Sequence, residues 1–164
     1  MKLDREKYVN LIMYILAKSY NKPHVGKTVL SSLMYFIDFK HYEYYGKALT
    51  RESYIKSPKG IKPKHFKDMT KELISANQLF LRKEDYYSRT LHRYYPLIIP
   101  TIEFDERELK IIDSSINELS DNNATDITKI ANNDPPLILA SLGDTIDYRH
   151  VIYRSNKYPN LKNK

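Results

Sequence analysis

Residues 27–45 read KTVLSSLMYFIDFKHYEYY, and the fold turns on this stretch. Val29, Leu30, Leu33, Met34, Phe36, Ile37 and Phe39 are spread around most of the circumference of a 3.6-residue helix, leaving little of it for water. A helix that is apolar nearly all round belongs at the centre of a fold. Gly46 is placed to end it in the left-handed conformation. Asp38 stands inside the apolar run and needs a partner if it is buried.

On the N-terminal side, Pro23 and Gly26 separate this rod from residues 5–20, where Val9, Ile12, Met13 and Leu16 recur at helical spacing behind an Asp4 cap. On the C-terminal side, residues 48–55 read as extended chain, and Ser57-Pro58-Lys59-Gly60 as a turn. The pattern predicts a third helix from Pro63 to about Asn77, with Phe66, Met69, Leu73 and Ile74 on one stripe. It then predicts a short strand at residues 79–81, a charged loop from Arg82 to Arg89 and a tyrosine-rich strand over residues 90–99. Asp105 opens a fourth helix with Leu109, Ile112, Ile116 and Leu119 on one face. Residues 124–131 form a short helix, Asp134-Pro135-Pro136 is a stop, residues 145–148 are a short strand or turn, and a helical segment lies near Tyr153. The expected architecture is α+β: one mostly helical domain over residues 1–154, with a buried central helix and a small antiparallel sheet. Residues 155–164 are a polar, basic tail.

With 164 residues, 41% of them apolar, the chain can build one core of its own. It has no cysteine, which removes disulfides, thiolate metal sites and cysteine nucleophiles together and suits a reducing compartment. Residues 1–7 mix both charges and do not resemble a signal peptide. No run approaches the roughly 20 apolar residues of a membrane span, so a cytoplasmic location away from membranes is expected. The net charge of +7 is unevenly distributed: +4 over residues 1–50, +6 over 51–102, −8 over 103–147 and +5 thereafter.

The residue patterns needed for catalysis do not assemble. His24, His41, His65, His92 and His150 have no spacing that brings two ligands to one helix face. There is no G-x-S-x-G, and four glycines leave no phosphate-binding loop or dinucleotide fingerprint. No enzymatic activity, metal or cofactor is expected. Binding is the remaining class. Between residues 51 and 93, Lys56, Lys59, Lys62, Lys64, Lys67 and Lys71 interleave with Tyr54, Tyr86, Tyr87, Tyr94 and Tyr95, as in a nucleic-acid face. Helices followed by two strands with a charged loop are also the order of a winged-helix regulator, with residues 82–89 as the wing. Lysine and tyrosine are plentiful throughout, however, and this DNA-binding alternative is not the favoured one. Fifteen tyrosines without a tryptophan suit a protein interface equally well, and Tyr42, Tyr44 and Tyr45 form the cluster of interest.

One run rises above composition: Lys27, residues 33–39 (LMYFIDF, with Tyr35 and Asp38), Tyr42, Gly46, Leu49-Thr50, Tyr54, and Ser57-Pro58-Lys59-Gly60 followed by Pro63. It resembles the signature of the Panacea domain, the SocA-like antitoxin domain associated with phage and other mobile elements. A weaker patch at Phe104, residues 124–127, Asp134-Pro135 and residues 143–148 is similar to the same family. The loop departs from the family pattern in reading Gly60-Ile61-Lys62-Pro63. The resemblance implies an antitoxin that neutralises a cognate toxin by direct contact, or delivers it as an adaptor to a protease, with a protease or chaperone as further partner. Lys27, Tyr35, Asp38, Gly46, Thr50, Gly60 and Pro63 carry the motif. Asp38 and Lys27 are expected to organise polar contacts in the core, with Tyr42, Tyr45, Tyr54 and Lys59 on or near the binding face.

Overall fold

A computed structural model describes residues 2–99, 101 and 103–154; the tail expected at 155–164 lies outside the described residues. The chain is α+β. Helix α1 (Arg5–Lys18) starts where the Asp4 side chain accepts a hydrogen bond from the Lys7 amide. Helix α2 (Lys27–Tyr45) is the expected central rod: residues 29–35, Ile37, Asp38, Phe39 and His41 are all buried. It packs against α1 and several later elements, including α4 (Glu106–Leu119) and α5 (Ala124–Asn132). Burying each large aliphatic or aromatic side chain contributes about 1.5–3 kcal/mol, so the rod is the main source of cohesion.

Gly46 ends α2 at φ +74°, its amide bonding back to the Tyr42 carbonyl. A Cβ there would meet nothing within 4 Å, so the restriction is backbone conformation alone. Gly46→Ala is therefore expected to cost about 1–2 kcal/mol, the penalty of a left-handed L-residue. A shift in the urea unfolding midpoint at unchanged slope reads it, and an unchanged midpoint would contradict the assigned cap.

The expected small antiparallel sheet is present as two separate two-stranded hairpins. β1 (Tyr54–Ser57) pairs with β2 (Gly60–Pro63) across Pro58-Lys59. Pro63 does not open a helix. It is the last residue of β2, opposite Tyr54, and α3 begins at Phe66 and ends at Ser75. Proline suits either a first helical turn or a strand end with no ladder hydrogen bond to donate, and the pairing decides for the strand. Residues 143–146 run along the free side of β1, the Ile146 amide bonding to the Tyr54 carbonyl at 2.7 Å.

The stretch from Arg82 to Arg89 is not a loop. β3 (Leu79–Tyr86) and β4 (Arg89–Pro96) pair along their whole length, leaving only Tyr87-Ser88 as the turn. The charges were misleading because both faces of the outer ribbon meet water. As expected, α5 ends before Asp134-Pro135-Pro136; Pro135 then opens a further short helix, α6 (Pro135–Leu139), where its missing N–H costs nothing. A 3-10 turn (Tyr148–Tyr153) packs on α6 and α2. α4 begins with a full capping box between Asp105 and Glu108.

Candidate functional site: an aromatic face over a buried polar frame

Asp38 is completely buried on α2, and its carboxylate accepts from the Thr50 amide (2.7 Å), the Thr50 hydroxyl (2.6 Å) and the Tyr54 hydroxyl (2.5 Å). Burial pushes its pKa from 3.8 up to about 6; the Thr50 and Tyr54 hydrogen bonds oppose that rise, and the nearby Glu52 carboxyl adds to it. Glu52, equally buried, accepts from the Ser53 amide, the His65 amide and the His65 ring Nδ1 at 2.6 Å. Tyr148 donates to the Glu52 carbonyl and the Asp4 amide to the Thr50 carbonyl. The segment joining α2 to β1, in which Arg51 sits at φ +61°, is thus tied to four other parts of the chain. The buried Tyr8 hydroxyl finds no hydrogen-bond partner among the described residues, and burial holds its pKa far above the ordinary tyrosine value.

A second frame lies beside the first, one turn earlier on α2. The buried Tyr35 hydroxyl donates to Asp134 at 2.7 Å. Arg154 grips the same carboxylate with Nε and Nη2 at 2.7 and 2.6 Å and reaches Glu43 with Nη1 at 3.1 Å. Both members of the Arg154–Asp134 pair are buried. Between the frames lie Tyr35, Phe39, Tyr54 and Tyr148, with Phe39 stacked on Tyr148 at 4.1 Å between ring centroids.

These positions correct two expectations. Tyr54, placed from sequence on or near a binding face, has no exposed surface and serves Asp38. Lys27 takes no part in the core polar contacts: it is exposed, and its ammonium lies 6.0 Å from the Phe66 ring centroid. Tyr42 is half-buried against Tyr148, while Tyr44 and Tyr45 are exposed. Tyr45 covers His41 and Arg107. Lys59 is exposed on the β1–β2 turn, and Gly60 beside it has φ +113° with Thr128 of α5 next to it. Beside Tyr44 a groove of about 390 Å³ runs between α2, α4 and α5, walled by Phe36, Leu119 and Ile130 and floored by Asp134 and Arg154.

Sequence reasoning did not find Glu52, His65 or Arg154 as framework residues. The interleaved lysines and tyrosines of residues 51–93 do not converge. Tyr54 and Tyr94 are buried, and Lys56 donates to the Leu137 and Ala140 carbonyls. The lysine-bearing α3 follows a hairpin, so it is not the second helix of a helix-turn-helix. Among the described residues no helix is long and apolar enough to cross a membrane, and no three His, Asp or Glu side chains are grouped to hold a metal ion.

The family model described as antitoxin SocA-like, Panacea domain, matches residues 30–136. No curated protein and no solved structure matches the chain.

Proposed function

The chain belongs to the antitoxin SocA-like, Panacea domain family, and from that membership we propose that it is the antitoxin of a toxin-antitoxin pair, neutralising a cognate toxin protein by direct contact. The observation that carries this reading is the extent of the match, from the central rod through the Asp38 frame to Asp134. The surface best suited to the contact is the aromatic end of α2 with the groove beside it, where exposed Tyr44 and Ile130 flank half-buried Phe36 and Leu119. Tyrosine rings beside an apolar cleft offer large contact area at low entropic cost, as in the energetic centres of protein interfaces. Tyr42, Tyr45 and Lys59 are carried as further contacts. Delivery of the toxin to a protease is the adaptor form of the same role.

The product of the adjacent reading frame is the toxin to test. Expressed alone it is expected to arrest growth, and co-expression of this protein to restore it, with a stable complex on size exclusion. Adaptor action would appear instead as loss of the toxin from cells. Tyr44→Ala combined with Ile130→Asp is expected to weaken the complex at least tenfold without changing the melting temperature, while Tyr20→Ala, exposed on another face, leaves it unchanged. Growth arrest that this protein fails to relieve would remove the reading. Rescue unaffected by the groove variants would relocate the face.

A further inference from the structure

The first turn of α2, the tip of the β3–β4 hairpin and the start of α5 enclose a cavity of about 560 Å³ on a different side from the Tyr44 groove. That volume is in the range of small-molecule sites. Lys27, Arg89, His24 and His92 line it, and no Asp or Glu does among the described residues. Elsewhere on the molecule cations pair with carboxylates: Lys7 with Glu108, Lys22 with Asp121, Arg5 with Glu72, Arg149 with Asp147 and Arg154 with Asp134. Lys27 and Arg89 have no carboxylate within ion-pair distance among the described residues, and the one polar contact of the Arg89 guanidinium is a 3.4 Å hydrogen bond to the Thr125 hydroxyl. His24 is engaged with the Ser120 carbonyl oxygen at 2.6 Å.

The hairpin tip supplies the second half of the site. Tyr87 and Ser88 have φ of +46° and +67°, the signs that two-residue primed turns require and that asparagine and glycine meet most easily. A tyrosine in that conformation is strained, and strain of this kind points to a role for the side chain. Tyr87 is 85% exposed and stands edge-on to Tyr86 at 4.7 Å between centroids, both rings at the cavity wall. The hairpin is seated firmly. A Cβ on Gly26 would come within 2.7 Å of the Leu91 side chain and 3.0 Å of the His92 carbonyl oxygen, so β4 lies directly on the start of α2 and the cavity is preformed.

We propose that this cavity binds a nucleotide, its phosphates on Lys27, Arg89 and His92 and its base on the Tyr86-Tyr87 ledge. The same chemistry is offered by a free nucleotide and by the end of a nucleic-acid strand. The Lys27 and Arg89 cations, with no acid beside them among the described residues, select phosphate, and the rings select an aromatic base over a bare anion. The site does not depend on the toxin-binding reading, which concerns the other groove.

Calorimetric titration of the full protein with ATP, AMP, pyrophosphate, a ten-nucleotide single strand and a glutamate decapeptide tests it. ATP or the strand is expected to bind in the micromolar range, with the decapeptide at least tenfold weaker. Lys27→Ala and Arg89→Ala should each reduce affinity at least tenfold at unchanged melting temperature. Tyr87→Ala should weaken ATP several-fold and leave pyrophosphate unaffected, which a purely electrostatic patch would not show. A strand that binds tighter than ATP with a steeper salt dependence identifies nucleic acid as the source, and the reverse order identifies the free nucleotide. No binding of either at millimolar concentration, affinity indifferent to Lys27 and Arg89, or a decapeptide as tight as ATP would overturn the proposal.

Discussion

Replacing Arg154 by methionine is expected to lower the unfolding free energy by about 3–5 kcal/mol, on the order of 10 °C in melting temperature for a domain of this size. The guanidinium makes two hydrogen bonds to buried Asp134 and one to Glu43. Its removal leaves a carboxylate desolvated with only the Tyr35 hydroxyl to serve it. The loss arises from stranding Asp134 more than from deleting an attraction, because a buried ion pair is itself close to neutral against apolar residues of the same volume. The triple variant Arg154→Met, Asp134→Leu, Tyr35→Phe should therefore recover most of the stability. Urea denaturation of both variants checks the pair. An Arg154→Met midpoint equal to that of the parent would mean that the buried bridge does not form, and failure of the triple variant to recover would place the energy in the charges themselves.

The second large effect concerns Asp38. Asp38→Ala strands the Thr50 amide and the Thr50 and Tyr54 hydroxyls in a dry site, and about 3–5 kcal/mol is expected to be lost. Asp38→Asn differs: its carbonyl can take the Thr50 amide, and both hydroxyls can rotate to accept from its amide group. It should lie within about 1 kcal/mol of the parent at pH 7. The two proteins then diverge with pH. The folded-state pKa of Asp38 is raised from 3.8 to about 6, so the native protein holds this proton more tightly than the unfolded chain does. The stability linked to it is fully present below about pH 4 and is lost as pH rises through 6; the rise corresponds to about 3 kcal/mol. Acidification from pH 7 to 4 should thus favour the parent over Asp38→Asn by on the order of that amount. Parallel stability curves for the two proteins would show that the folded-state pKa of Asp38 is not raised above its unfolded value.

The central rod was legible because apolar residues all round a helix admit one location, and Gly46 and Asp4 mark ends by chemistry that acts within one turn. What could not be read depends on partners far away in sequence. Arg154 looks like a surface cation until Asp134, 20 residues back, and Glu43, 111 back, are placed beside it. Tyr54 was misplaced because a tyrosine's hydroxyl serves water or a buried carboxylate equally well, and only the fold brings Asp38 to it. The β3–β4 hairpin hid behind its charges and behind a Tyr-Ser turn without the usual asparagine and glycine. The cavity at its tip joins residues 24–28, 86–92 and 123–125, which no local pattern connects.

The Arg154 bridge also bears on how the protein is made. Asp134 and Glu43 leave the ribosome well before the cation that neutralises them, so a nascent chain halted short of residue 154 carries an uncompensated acidic seam beside its central helix. A chain ending there closes its core only by burying the Asp134 charge without its cation, at a cost of about 3–5 kcal/mol.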